Sequence, residues 1–334
     1  MRNTAYKPLF PWFGGKSPVA DIVWSALGSD VKNYVEPFFG SGAVLFLRPG
    51  GPGAIETVND ADGLVSNFWR ALRNDPDAVA DAADWPVNEA DLHARHLWLL
   101  GQRERITERL MGDPDFYDAK AAGWWCWGIC SWIGSGWCSG KGPWVSVDGE
   151  FALRNSGKGV NRKRPHLSNS GQGVNRKRPR SEWLRGYLGE FSGRLARVRV
   201  CCGDWSRVCG PSVTFRHGPT GVFLDPPYAD SASRTSDLYA TDCEQVAHAV
   251  REWAIEQGTN PLMRIVLAGY DGEHEMPSGW RVQEWKAAGG YALSAKEGSK
   301  ATGKANAKRE RLWFSPHCVD VGEESKRQRE LIPA

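Results

Sequence analysis

The chain has 334 residues and a formal net charge of +3, with 41% hydrophobic and 24% charged residues, an ordinary balance for a water-soluble globular protein. No run approaches the roughly 18 apolar residues of a membrane span, and Met1 to Lys7 lacks the charged-then-apolar layout of a secretory signal, so a cytoplasmic protein with no membrane partner is expected. Single cores seldom grow past about 250 to 300 residues, so two domains are expected.

In chain order, Gly14-Gly15-Lys16-Ser17 resembles the tail of a phosphate loop, but Phe10 stands where the first glycine belongs, which argues against an NTPase. From Asn33 to Asn74 a short apolar run, a glycine turn and a helical pattern alternate. Tyr34-Val35 reads as a strand, Phe39-Gly40-Ser41-Gly42 as the turn, Ala43 to Leu47 as the start of a helix and Ala54 to Val58 as a second strand. Leu64, Val65, Phe68, Trp69 and Leu72 then recur at helical spacing. This βαβα unit predicts an α/β fold with a parallel, doubly wound sheet. Gly40-Ser41-Gly42 opens a helix after a strand, where glycine lets a ligand approach free N–H groups, and Asp60 and Asp62 follow about 20 residues on, where a carboxylate can grip ribose hydroxyls. Leu45 occupies the place of the third glycine in a nicotinamide fingerprint, so these features indicate only an adenosine-containing ligand.

Comparable strands return much later, at Val198 to Cys201, Val222 to Leu224 and Ile265 to Ala268, so the intervening stretch reads as an insertion. It holds helical patterns at Ala90 to Leu110 and Asp115 to Ala122, then a Gly- and Trp-rich passage from Gly123 to Trp144, more a core than a stacking platform. A tandem repeat follows, Asn155 to Pro165 recurring at Asn169 to Pro179 with one change at Gln172. Arg154 to Arg185 carries ten Lys or Arg against the single acid Glu182, the footprint of a polyanion-binding face. Arg162, Lys163, Arg164, Arg176, Lys177 and Arg178 are the candidate phosphate contacts, the alternative being a flexible basic linker. The eight cysteines form no Cys-x-x-Cys pair, and Cys126, Cys130 and Cys138 with His166 fit no usual zinc spacing; reduced thiols and no metal are expected.

Asp225-Pro226-Pro227-Tyr228 leaves the apolar run Gly221-Val222-Phe223-Leu224. Consecutive prolines supply no N–H, Asp225 only accepts hydrogen bonds when ionised, and Tyr228 offers a ring for stacking. Together they suit an exocyclic amine on a flat base; a plain turn after a buried strand is the alternative. A helix is expected from Asp242 to Gln257, with Val246, Val250 and Trp253 on one face. Trp280 to Lys286 and Arg311 to Phe314 read as a strand pair closing the sheet, joined by a polar loop that includes Lys296 to Lys308.

Four blocks together resemble the DNA adenine-N6 methyltransferases of bacterial and phage type, class alpha or D12: Pro11-Trp12-Phe13-Gly14-Gly15-Lys16, Val35-Glu36-Pro37-Phe38-Phe39-Gly40-Ser41-Gly42, Asn59-Asp60-Ala61-Asp62-Gly63 and Asp225-Pro226-Pro227-Tyr228. The resemblance implies a Rossmann-like methyltransferase domain of residues 1–74 and 194–320. It also implies an inserted, mostly helical and loop-rich DNA-recognition domain at 75–193; the remaining residues, 321–334, read as a polar tail. It implies S-adenosyl-L-methionine as cofactor, with Trp12 and Lys16 in contact with it, Glu36, Gly40 and Gly42 along its methionine moiety, and Asp60, or else Asn59 or Asp62, at the ribose. Asp204 matches an acid near the cofactor adenine, the alternative being a helix N-cap. Asp225, Pro226, Pro227 and Tyr228 would carry catalysis on a base flipped out of double-stranded DNA. No obligatory protein partner is evident, a cognate restriction enzyme being the one such a family allows. The competing readings are a cytosine-N4 methyltransferase and a non-catalytic DNA-binding protein on a methylase scaffold.

Overall fold

The computed structural model describes residues 6–12, 14–132, 137–138, 144–147, 150–153, 180–227, 237–285 and 309–320. The described strands are β1 (Asn33–Glu36), β2 (Ile55–Asp60), β3 (Trp144–Val147), β4 (Glu150–Leu153), β5 (Val198–Cys202), β6 (Thr220–Leu224), β7 (Met263–Tyr270), β8 (Arg281–Glu284) and β9 (Glu310–Phe314). All but the antiparallel pair β3 and β4 form one seven-stranded sheet in the order β5-β2-β1-β6-β7-β9-β8. β1 pairs in parallel with both β2 and β6, and β6 with β7, while β9 runs antiparallel between β7 and β8. Chain order therefore runs outward from β1 through β2 to β5 on one side and from β6 to β7 on the other, with β9 lying between β7 and the edge strand β8, and the winding reverses between β1 and β6. The mixed α/β fold and the closing strand pair agree with the pattern of the sequence.

Side chains explain this order. Every residue of β6 is buried, as are seven of the eight in β7, the near-continuous apolar run of strands covered on both faces. β8, at the rim, is intermediate at Arg281 and exposed from Val282 to Glu284, a polar edge that discourages further pairing.

The helices are α1 (Ala20–Leu27), α2 (Ala43–Phe46), α3 (Gly63–Asn74), α4 (Pro76–Ala83), α5 (Glu89–Gly112), α6 (Ala119–Ser131), α7 (Arg180–Leu195) and α8 (Asp237–Gln257). Contacts divide the chain into two compact units, one taking in 13–58 and 205–334 and the other 5–12 and 59–204. In the first, α1 packs on β6 and β7. Gly221 makes that approach possible, since a Cβ there would lie 3.0 Å from Leu27. Arg48 and Glu56 form a buried ion pair at 3.0 Å, with the guanidinium also donating to the Val31 carbonyl at 2.9 Å.

The second unit is mainly helical. Asp62, Asp75, Asn88 and Asp118 accept backbone N–H groups at the starts of α3, α4, α5 and α6, and Pro76 opens α4 where its missing N–H does no harm. Phe10 packs edge-on against Phe68 and Trp125, with ring centroids 5.3 and 4.9 Å apart. The Arg95 guanidinium sits 4.8, 4.8 and 4.5 Å from the rings of Trp85, Trp124 and Trp127. Buried His96 stacks on Trp137 at 4.8 Å, accepts the Cys138 N–H at 3.2 Å, and has its pKa lowered to about 4 by burial.

The helical pattern expected at Asp115 to Ala122 proves to be α6, which begins at Ala119 and continues through the Trp-rich passage to Ser131. Its glycines mark close packing: a Cβ on Gly123 would collide with Ala82, and one on Gly128 with the Trp137 ring. α8 starts at Asp237 rather than Asp242. α4 and α7, and the β3–β4 pair, are elements the sequence pattern did not separate.

The seven described cysteines are free thiols, and no described group of three or more His, Cys, Asp or Glu has the spacing of a metal site. No described helix is long and apolar enough to cross a membrane. The repeat with Arg162, Lys163, Arg164, Arg176, Lys177 and Arg178, the loop at 296–308, the tail at 321–334 and Tyr228 lie outside the described residues.

Candidate active site

β1 and β6 lie side by side in parallel, and their carboxyl ends deliver the first two functional groups, Glu36 and Asp225. The reversal of winding between them opens the crevice in which open α/β sheets place their ligands. Asp225 follows Leu224 directly; its side chain is 20% exposed and its Oδ1 lies 2.9 Å from Lys16 Nζ. Pro226 is buried and Pro227 exposed, so the motif turns from the sheet toward solvent within two residues.

Lys16 is held from its own side of the chain. It precedes the short 3-10 turn Ser17–Val19, with Pro18 fixing the backbone there, and its ammonium donates to the Gly14 carbonyl at 2.8 Å. Gly14 has φ +70°, a left-handed conformation that favours glycine and aims that carbonyl back at the lysine. The Lys16 side chain is only 5% exposed, and its Nζ lies 5.8 Å from the centre of the Trp285 ring. Trp285 is buried at the end of β8, its N–H bonded to the Glu310 carbonyl at 3.2 Å.

Glu36 is buried on the same strand as Tyr34, whose hydroxyl donates to Glu36 Oε2 at 2.9 Å. The Leu45 backbone N–H donates to the same carboxyl group. Burial raises the Glu36 pKa well above the ordinary carboxylate range, and the neighbouring negative charges of Asp225 and Glu56 add to the rise. Among the described residues no cation pairs with Glu36, a buried acid with two donors. The turn beyond it carries Gly40 and Gly42 at φ +46° and +67°. At Gly42 a Cβ would come within 2.6 Å of both the Phe39 and Phe46 rings, so the glycine serves packing as well as backbone conformation. Phe38 lies nearly parallel to Trp205, with centroids 6.3 Å apart.

Lys16, Glu36, Gly40, Gly42, Asp225, Pro226 and Pro227 thus belong to the first unit, where Lys16 pairs with Asp225 and the charge of Asp225 acts on Glu36. Trp12, Asp60 and Asp204 belong to the second unit. Trp12 is 37% exposed beside Phe10 and Trp125. Asp60 Oδ1 accepts the Asp62 N–H at 2.9 Å, and its carbonyl accepts the Gly203 N–H at 3.1 Å. Asn59 Nδ2 donates to the Gly203 carbonyl at 3.0 Å. Asp62 caps α3 through the Leu64 N–H and pairs with Arg103 at 2.7 Å. Asp204 follows Gly203, just ahead of the 3-10 turn Trp205–Val208.

Tyr34 and Trp285 are the site residues that the sequence pattern did not single out. Tyr34 had a usable signal, because residues two apart on a strand share a face. Trp285 had none; only the β7–β9–β8 pairing carries it to Lys16. No curated protein matches the chain. Residues 12–95, the span that holds Trp12, Lys16, Glu36, Gly40, Gly42 and Asp60, match the family model of the D12 class N6 adenine-specific DNA methyltransferase.

Proposed function

We propose that the chain transfers a methyl group from S-adenosyl-L-methionine to the N6 amine of an adenine flipped out of double-stranded DNA. The observation that carries this reading is the Lys16–Asp225 pair and the cation-free buried acid Glu36 at the ends of two adjacent parallel strands between which the winding reverses. A buried carboxyl group of this kind fits the ammonium of the cofactor's methionine moiety, and the left-handed turn at Gly40 and Gly42 fits close approach of that chain to the backbone. S-adenosyl-L-methionine, when bound, supplies an electrophilic sulfonium methyl.

Adenine N6 is a poor nucleophile because its lone pair is delocalised into the ring. Asp225 and the Pro226 carbonyl would accept hydrogen bonds from the two N6–H groups, which draws the nitrogen toward tetrahedral geometry and frees its lone pair for in-line attack on the methyl carbon; the S–CH3 bond would break as the N–CH3 bond forms, with S-adenosyl-L-homocysteine as the leaving group and the surplus N6 proton lost to solvent. Lys16 fixes the Asp225 side chain in place and balances its charge. Tyr228 stacks on the extruded base and offsets part of the few kcal/mol that unstacking costs. Trp12 contacts the cofactor, and Asp204 lies toward its adenine. Asp60, or else Asn59 or Asp62, holds the ribose.

The insert at 75–193 serves as the DNA-recognition domain in this reading, with Arg162, Lys163, Arg164, Arg176, Lys177 and Arg178 neutralising phosphates. The test is to treat duplex DNA with the protein and labelled cofactor, then digest to nucleosides. N6-methyl-2′-deoxyadenosine is expected; N4-methyl-2′-deoxycytidine would overturn the base assignment. Asp225→Ala should lower turnover by about 10² to 10³ while duplex binding persists, and retained turnover would remove Asp225 from its role.

A further inference from the structure

We propose that Tyr34 is a positioning residue for cofactor binding: its hydroxyl holds Glu36 oriented to receive the α-ammonium group of S-adenosyl-L-methionine. This rests on the reading that Glu36 faces the methionine moiety. Tyr34 and Glu36 are two apart on β1 and share a face, with exposures of 0% and 2%. The hydroxyl reaches Oε2 at 2.9 Å, and the Tyr34 ring is fixed in turn against Trp24, with centroids 4.7 Å apart. A buried, otherwise apolar tyrosine whose only described hydrogen bond goes to a site carboxyl group acts through that group.

The chemistry gives this hydrogen bond a defined role. Receiving an ammonium requires Glu36 as a carboxylate, and burial opposes that form. On its own strand the charge is helped by Tyr34; from α2 it is helped by the Leu45 N–H. Across the sheet it is opposed by Asp225 at the end of β6 and Glu56 on β2, each partly balanced by its own cation, Lys16 at 2.9 Å and Arg48 at 3.0 Å. A phenol O–H donates more strongly to a carboxylate than to a neutral acid. Tyr34 therefore favours the binding-competent state wherever free Glu36 carries a proton, and contributes little once the free protein is already ionised.

The experiment compares full-length wild type with Tyr34→Phe, titrated at each pH from about 6 to 8 with S-adenosyl-L-methionine and with 5′-methylthioadenosine, which lacks the amino-acid moiety. The variant keeps the ring and its packing and loses one oxygen. At the acid end its affinity for S-adenosyl-L-methionine should fall about tenfold, the size expected for a hydrogen bond to a charged group. The deficit should shrink as pH rises, while 5′-methylthioadenosine binds both proteins alike. Equal losses on the two ligands, or no loss at any pH, would each overturn the proposal. Glu36→Gln separates the underlying reading: unchanged affinity for S-adenosyl-L-methionine in that variant would show that Glu36 does not face the methionine moiety. Weakened affinity there, beside an unaffected Tyr34→Phe, would sink the role of Tyr34 alone.

Discussion

Lys16 is the residue on which the site's charge arrangement turns. It is nearly buried and meets Asp225, the Gly14 carbonyl and the Trp285 ring together. Removing its charge leaves a partly buried carboxylate without a partner. Breaking a fully buried pair costs about 3 to 5 kcal/mol, and the 20% exposure of Asp225 reduces this. Lys16→Met should therefore lower the thermal midpoint by several degrees and reduce kcat/KM by about ten- to a hundredfold. Melting curves and steady-state methylation assays measure the two effects separately. Glu36 gives the opposite kind of signature. Its folded pKa is raised above the ordinary 4.5, so the folded state holds a proton that the unfolded chain releases. This contribution is fully present below that value and is lost as pH rises toward the folded pKa. In Glu36→Gln the contribution is gone, so without ligand its thermal midpoint should gain on that of wild type as pH rises from about 5 to 7. A constant difference would show that the acid does not titrate there.

At the scale of elements, helix α6 supplies a decisive comparison. A helical glycine replaced by alanine normally stabilises by about 0.5 to 1 kcal/mol. Gly101, inside α5, would place its new Cβ in open space, so Gly101→Ala should raise the thermal midpoint. Gly128→Ala would drive a methyl group into the Trp137 ring, and overpacking of about 1 to 3 kcal/mol reverses the sign. Thermal melts of the two variants, displaced in opposite directions, check both environments. The same glycines show what the sequence makes legible. β1, β2, β6 and β7 are readable because buried parallel strands are short apolar runs bounded by turns, and Asp225 is readable because two prolines and an acid end one of them. α6 is misread beyond Ala122 because Gly123 and Gly128 act locally as breakers, whereas the close packing against Ala82 and Trp137 that requires them is a long-range fact. α4 is too short to stand out by periodicity, whereas α7 carries buried Leu184, Leu188, Phe191 and Leu195 at helical spacing, a signal that the adjoining basic stretch masks. Lys16 and Asp225 lie more than 200 residues apart in the chain, and only the sheet topology joins them.

For the molecule as a whole, acid stability should be set in both units. His96 in the second unit and His274 in the first are buried, and desolvation lowers each pKa from 6.5 to about 4. The unfolded chain binds protons at these positions that the folded chain refuses, so stability is full above about 6.5 and lost as pH falls toward 4. Each histidine contributes up to about 3 kcal/mol to this loss, opposed in part by Glu36 over the same range. His96→Asn should lower the acid-unfolding midpoint measured by circular dichroism, and an unchanged midpoint would mean that His96 is protonated in the native protein. The reversal of winding between β1 and β6 has a practical corollary. Backbone pairing rather than any one side chain sets this switch point, so Asp225→Asn, which should slow the transfer, should still bind cofactor and duplex. Such a stalled enzyme is the natural trap for capturing the intact ternary assembly.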